Sequence, residues 1–270
     1  VSKNFEMLRD LRVNLSAEAA APVYDAPGLG TIPETEVRGA RSGPAQEKWT
    51  AREYAVAAVS ENQLAREEAS KLVHNLFLSP GNISNRVVVF AAIDSGNGCS
   101  RISSLVARTL AGQAGAPVCL VDANLRTSSS PHPFKVNNDY GLTDALRSPG
   151  PITEFVTNFG PENLAVLSCG SGAKDSVALL TSPNMRARVT DLRNEFAYIL
   201  IDAPPLNSYA DAIALGQLAD GVVLILEANA TRRESAVKVA DHLRSMHVKL
   251  LGAVLNKRTF PIPETLYNLL

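Results

Sequence analysis

From Val87 onward the chain alternates short apolar runs with stretches whose apolar residues recur every three or four positions. The runs Val87–Ala92, Val118–Val121, Leu164–Leu167, Tyr198–Ile201, Val222–Leu226 and Leu250–Leu255 have the length and composition of buried strands. Between most of them the helical period takes over, at Ile102–Gln113, Pro183–Glu195, Asp211–Leu218 and Arg233–Met246. In the first of these, Ile102, Leu105, Val106 and Leu110 share one face. Strand and helix in alternation imply βαβ units, hence an α/β fold with a mainly parallel sheet flanked by helices on both faces. Right-handed crossovers then gather the loops that follow the strands along one edge of the sheet, where ligands bind.

Upstream of that alternation the pattern changes. Residues 1–14 place Phe5, Leu8, Leu11 and Val13 among charges, which predicts a short amphipathic helix. Residues 16–47 are rich in Ala, Pro, Gly and Glu and have little periodicity. Such a segment buries too little apolar surface to offset its ordering entropy, so it reads as a flexible linker. From Lys48 to Leu78 the pattern is helical, with two helices meeting near Ser60-Glu61 and Pro80-Gly81-Asn82 ending the second. The expected division is an N-terminal helix and linker over residues 1–47 and a folded domain over residues 48–270.

Composition narrows the function classes. The 270 residues leave room for one large or two small domains, and 46% hydrophobic content suits an ordinary core. A net charge of -1 gives no bulk attraction to nucleic acid or anionic lipid, so no nucleic-acid partner is expected. Cys99, Cys119 and Cys169 are odd in number and lack metal-type spacing; with no signal peptide in view they read as free thiols in a reducing compartment. No apolar run reaches the ~18 residues of a membrane helix, and a membrane segment ahead of Val1 stays an open alternative. His132 and His242 lack ligand spacing and read as surface residues.

Three stretches at predicted strand ends carry the candidate chemistry. The first is the small-residue turn Asp94-Ser95-Gly96-Asn97-Gly98, which leads from Val87–Ala92 into the next helix. Strand, glycine turn and helix in that order make a phosphate cradle, because turn N–H groups and a helix N-terminus bind anions without side chains. A working P-loop reads G-x-x-x-x-G-K-[ST]. Gly98 and Ser100 are in register with it, whereas Cys99 stands at the lysine and Ile93 at the first glycine. The second stretch is Asp122-Ala123-Asn124-Leu125-Arg126 and the third is Asp202-Ala203-Pro204-Pro205. An aspartate at the end of an apolar strand is how P-loop proteins hold Mg²⁺, directly or through water. One such aspartate reads more simply as a turn starter or helix cap; two of them, ordered behind a glycine turn, point to nucleotide-binding ancestry.

On these residues the segment from about Glu68 to Tyr267 resembles the cytoplasmic kinase domain of bacterial polysaccharide tyrosine autokinases, a P-loop branch related to partition and septum-site ATPases. The family's G-x-G-K-S/T appears as Gly96-Asn97-Gly98-Cys99-Ser100, its V-D-x-D-x-R as Val121 to Arg126, and its I-D-x-P-P as Ile201 to Pro205. Further agreement lies in Tyr140 to Leu146, Asp211-Ala212, Ala219 to Leu224, Thr231 to Glu234 and Gly252 to Lys257. The resemblance implies a three-layer P-loop fold and a cytoplasmic role in capsule or exopolysaccharide assembly, beside a membrane chain-length or export protein. It implies ATP or ADP contacts from Gly96, Asn97, Gly98, Cys99, Ser100, Arg101, Asn256 and Lys257. It further implies Mg²⁺ near Ser100, Asp122 and Asp202, with the two aspartates in catalytic positions. The family's helical E-x-x-R-x-x-R, which mediates ring assembly, corresponds to Glu68, Lys71 and His74.

The departures all point one way. Cys99 cannot supply the lysine's contact to the terminal phosphates, Asn124 replaces the second carboxylate of V-D-x-D, and Lys71 and His74 lack arginine's planar fork. Near the C-terminus only Tyr267 stands where the family carries a tyrosine-rich tail. The leading expectation is a degenerate kinase domain whose nucleotide binding is weak or lost. The alternatives are a working kinase or ATPase in which Arg101 replaces the lysine, and a ligand-free scaffold that self-associates through Glu68–His74. A reactive, low-pKa Cys99 at a helix N-terminus is a further option, set below a small tolerated side chain.

Overall fold

In the computed structural model of the protein, the residues described are 63–80, 85–126, 133–134, 136, 138–159, 163–171, 173 and 175–257. The expected N-terminal helix and linker, the junction at Ser60-Glu61, His132 and Tyr267 lie outside them. The first element is helix α1 (Gln63–Val73), which continues into a π-helical turn over His74–Leu78 that buries Leu76 and Phe77. The remaining elements, in chain order, are β1 (Val87–Ala92), α2 (Cys99–Ala114), β2 (Val118–Asp122), α3 (Leu142–Arg147), β3 (Thr157–Phe159), β4 (Leu164–Leu167), α4 (Ser176–Leu180), α5 (Pro183–Glu195), β5 (Tyr198–Ala203), α6 (Asp211–Gly216), β6 (Gly221–Glu227), α7 (Arg233–Ser245) and β7 (Leu250–Asn256).

The strands form a seven-stranded sheet in the order β3-β4-β2-β5-β1-β6-β7. Every pairing is parallel except that of β3 with β4 at the edge. All six residues of β1 are buried, as expected of a central strand covered on both faces. Helix α2 returns the chain from β1 to β2, with β5 between them. The carboxyl ends of β1, β5 and β2 are therefore neighbours.

That register decides where the chemistry sits. Asp202 pairs with Phe90 of β1 on one side and with Asp122 of β2 on the other. The two aspartates lie within the strands, although the apolar runs end one residue earlier at Val121 and Ile201. A parallel ladder bonds backbone to backbone, so a polar side chain at the end of a run does not stop it.

Other boundaries are set as locally. Helix α2 begins at Cys99, ahead of the apolar period at Ile102, because Gly98 adopts a left-handed φ of 89° and turns the chain straight into it. Helix α5 starts at Pro183, where Ser182 caps it by accepting from the Met185 N–H at 3.2 Å. Helix α6 stops at Gly216, two positions short of the expected Leu218. Helices α3 and α4 and strand β3 span six, five and three residues, too few to show a period.

Candidate functional site

The turn between β1 and α2 is held from three sides. Behind it, the Leu206 and Asn207 N–H groups donate to the Ala92 and Ile93 carbonyls at 2.9 and 3.0 Å. Within it, the Asp94 N–H donates to Asn97 Oδ1 at 2.9 Å, while Asp94 Oδ1 accepts from Asn207 Nδ2 at 2.8 Å. From β7, Asn256 Nδ2 donates to the Asn97 carbonyl at 2.8 Å. Asn97 Nδ2 donates to Glu227 Oε2 at 3.1 Å, and Lys257 Nζ reaches the same oxygen at 3.1 Å. Lys257 first and Asn97 second pull the Glu227 carboxyl below its ordinary range. The loop is thus shaped by the protein's own contacts. Gly98 carries no side chain to cap α2, so the first N–H groups of this helix face the turn.

Gly98 is required here for space as well as for its dihedral. A Cβ at this position would lie 2.3 Å from Asn256 Nδ2, whereas one at Gly115, also at positive φ, would meet nothing within 4 Å. Gly98→Ala is expected to destabilise the fold by more than the ~1–2 kcal/mol of left-handed strain that Gly115→Ala incurs. Equal losses in denaturant titration would show that the Gly98–Asn256 approach is not a constraint.

Facing the turn are the two strand-end carboxylates. Burial pushes Asp202 up to about 6, opposed by the hydroxyl of Ser100 and the thiol of Cys99, which favour its charged form. Burial and then the charge of Asp202 push Asp122 up to about 7, against the Asn124 N–H donated to Asp122 Oδ1 at 3.0 Å. Cys99 is itself pushed well above its ordinary range by desolvation and then by Asp202. That shift runs opposite to the one that activates a helix-terminal cysteine. Cys169, beside Asp122, is pushed up to about 12 for the same reasons.

Among the described residues Asp202 Oδ1 and Asn124 Oδ1 are buried and accept no hydrogen bond. A buried acceptor without a donor costs about 1–3 kcal/mol, so these oxygens fit a site completed by a bound cation or its water. The described residues contain no cluster of three or more His, Cys, Asp or Glu side chains able to hold a metal alone. Ser100, Asp122 and Asp202 would hold Mg²⁺ only together with ligand oxygens, and the ion would supply charge neutralisation of a polyphosphate. The chemistry open to the arrangement is anion binding at the turn with cation binding beside it.

The structure brings Gly96, Asn97, Gly98, Cys99, Ser100, Asp202 and Asp122 together, with Asn256 and Lys257 reaching the turn from β7 through Asn97 and Glu227. Arg101 is on the first turn of α2 with an exposed side chain. Glu68, Lys71 and His74 belong to α1 and its π-helical turn; Glu68 is 7% exposed and ion-paired with Lys71, while Lys71 and His74 face solvent. His242 is exposed on α7.

Two features escaped the sequence reading. Glu227, the shared acceptor of Asn97 and Lys257, ends the apolar strand β6 with no motif to mark it. Arg126 forms a bidentate pair with Asp211, at 2.8 and 3.2 Å, under the ring of Tyr209 at 4.1 Å. Both partners stood in quoted motifs, and a cation and an anion sharing a ligand edge were the available signal.

No family model matches the chain. It is similar to tyrosine-protein kinase CpsD of Streptococcus agalactiae, 29% identical over 174 residues, covering 64% of this chain and 76% of the relative. To tyrosine-protein kinase YwqD of Bacillus subtilis it is 28% identical over 201 residues, covering 74% of this chain and 84% of the relative. Among solved structures, the VpsO kinase domain superposes with a TM-score of 0.65 at 26% identity, covering 73% of this chain and 98% of that domain. The septum site-determining protein MinD of Pyrococcus horikoshii, complexed with Mg-ADP, matches in fold with a TM-score of 0.53 at 19% identity, covering 67% of this chain and 75% of that one. With a mostly parallel sheet, a glycine turn after its central strand and two aspartates at the adjoining strand ends, the chain is a homologue of the bacterial tyrosine-protein kinases, on the P-loop NTPase-like fold they share with MinD.

Proposed function

We propose that the protein is a catalytically degenerate, tyrosine-kinase-like cytoplasmic component of a capsule or exopolysaccharide system that retains a nucleotide pocket. The observation that carries this reading is Cys99: a side chain that brings no positive charge starts the helix where the family places the cation that steadies the transferred phosphoryl group. Phosphoryl transfer depends chiefly on such charges. Asn124 supports the same reading, because a carboxamide keeps the acceptor but takes no proton near neutral pH. No helix among the described residues is long and apolar enough to cross a membrane, and the proposed partner is the membrane chain-length or export protein of the same system. Self-association through Glu68, Lys71 and His74, on α1 and its π-helical turn, belongs to this proposal.

The test is incubation of the full chain with micromolar Mg-ATP, followed by phosphotyrosine detection and measurement of ADP release. Neither product is expected above background. Robust magnesium-dependent autophosphorylation would overturn the proposal; its loss in Arg101→Ala would then assign the lysine's role to Arg101.

A further inference from the structure

Resting on the nucleotide-pocket reading above, we infer that this site selects a nucleoside diphosphate over the corresponding triphosphate. The turn and the start of α2 have the geometry of a phosphate cradle. Gly96 and Gly98 hold positive φ values of 82° and 89°, and the sixteen-residue α2 starts at the turn without a side-chain cap. Such a terminus presents about half a positive charge. A second observation points to a ligand independently. Asp202, 3% exposed, keeps Oδ1 without a hydrogen-bond donor while its carboxylate faces Ser100 and Cys99 at the turn.

Past the cradle, the described surroundings suit a shorter anion. A terminal phosphoryl group adds negative charge where a P-loop supplies lysine, and Cys99 brings no charge there. The carboxylates of Asp202 and Asp122 stand at the adjoining strand ends. Two described cations at this edge are paired: Lys257 with Glu227 at 3.1 Å and Arg126 with the buried Asp211 at 2.8 Å. Arg101 extends into solvent. A P-loop lysine reaches the β- and γ-phosphates alike, so its absence weakens both nucleotides and leaves the triphosphate's additional charge without a counter-charge from the chain. A charge-assisted contact of this type corresponds to roughly ten- to a hundredfold in affinity.

The experiment is calorimetric titration of the full chain with ADP and with the non-hydrolysable β,γ-imido analogue of ATP, each with and without Mg²⁺. ADP is expected to bind at least about tenfold more tightly. Cys99→Lys is expected to close or invert that ratio by strengthening the triphosphate analogue. Equal or tighter binding of the analogue to the unaltered chain overturns the inference, as does an unchanged ratio in a folded Cys99→Lys. Heat from neither nucleotide would overturn the pocket itself and the inference with it, a result distinguishable from both of the others.

Discussion

Arg126→Ala is expected to lower the stability of the folded domain by about 3–5 kcal/mol, the loss found when one partner of a buried ion pair is removed. Asp211 is fully buried, and among the described residues its remaining side-chain donor is the Ser176 hydroxyl at 3.3 Å. Deleting the guanidinium leaves a carboxylate inside the protein with a single weak hydrogen bond. The stacking of Arg126 on Tyr209 goes with it. Because the pair joins the segment after β2 to the start of α6, the loops on either side of this sheet edge should loosen together. Urea titration of the single variants and of Arg126→Ala/Asp211→Ala checks this. The double variant should recover part of the loss, since the unpaired charge is gone. A cost below about 1 kcal/mol for Arg126→Ala would show that the pair behaves as a surface ion pair.

The second large effect is on pH dependence. The carboxyls of Asp122 and Asp202 are raised from an ordinary 3.8 to about 7 and about 6 by burial and, for Asp122, by the other's charge. A carboxyl raised in the folded state contributes its full stability below the unfolded pKa and loses it as pH rises through the folded pKa. Stability should therefore fall from about pH 4 to about pH 7 through these two groups. Asp122→Asn removes one charge and relieves its neighbour. At pH 8 it should be more stable than the unaltered protein, with the difference shrinking as the pH falls towards about 4. Thermal melts across that range decide it. A destabilised Asp122→Asn at pH 8 would mean that the carboxylates are compensated by a partner outside this account.

Much of the fold was legible because the sheet is buried on both faces. Six continuous apolar runs marked six of the seven strands, and β1 with Gly96 and Gly98 announced the turn. The short edge strand β3 stayed hidden: Thr157 and Asn158 are polar and only Phe159 is buried. The aspartates could be named from the chain but not paired, because their adjacency depends on β5 lying between β1 and β2 in space. Asn256 shows the same limit. Its link to Asn97 spans 159 positions, and no local pattern specifies which loop a strand end will touch. Cys99 was legible as a missing lysine, whereas its apposition to Asp202 required the structure.

The central claim is that an inherited phosphate cradle survives without its cation. A crystal of the protein soaked with ADP and Mg²⁺ tests it most directly. The β-phosphate is predicted on the backbone N–H groups between Gly96 and Ser100, beside the Cys99 thiol and with no lysine touching it. An empty turn in the soaked crystal, or a lysine from another part of the chain or from a second copy closing on that phosphate, would contradict the account.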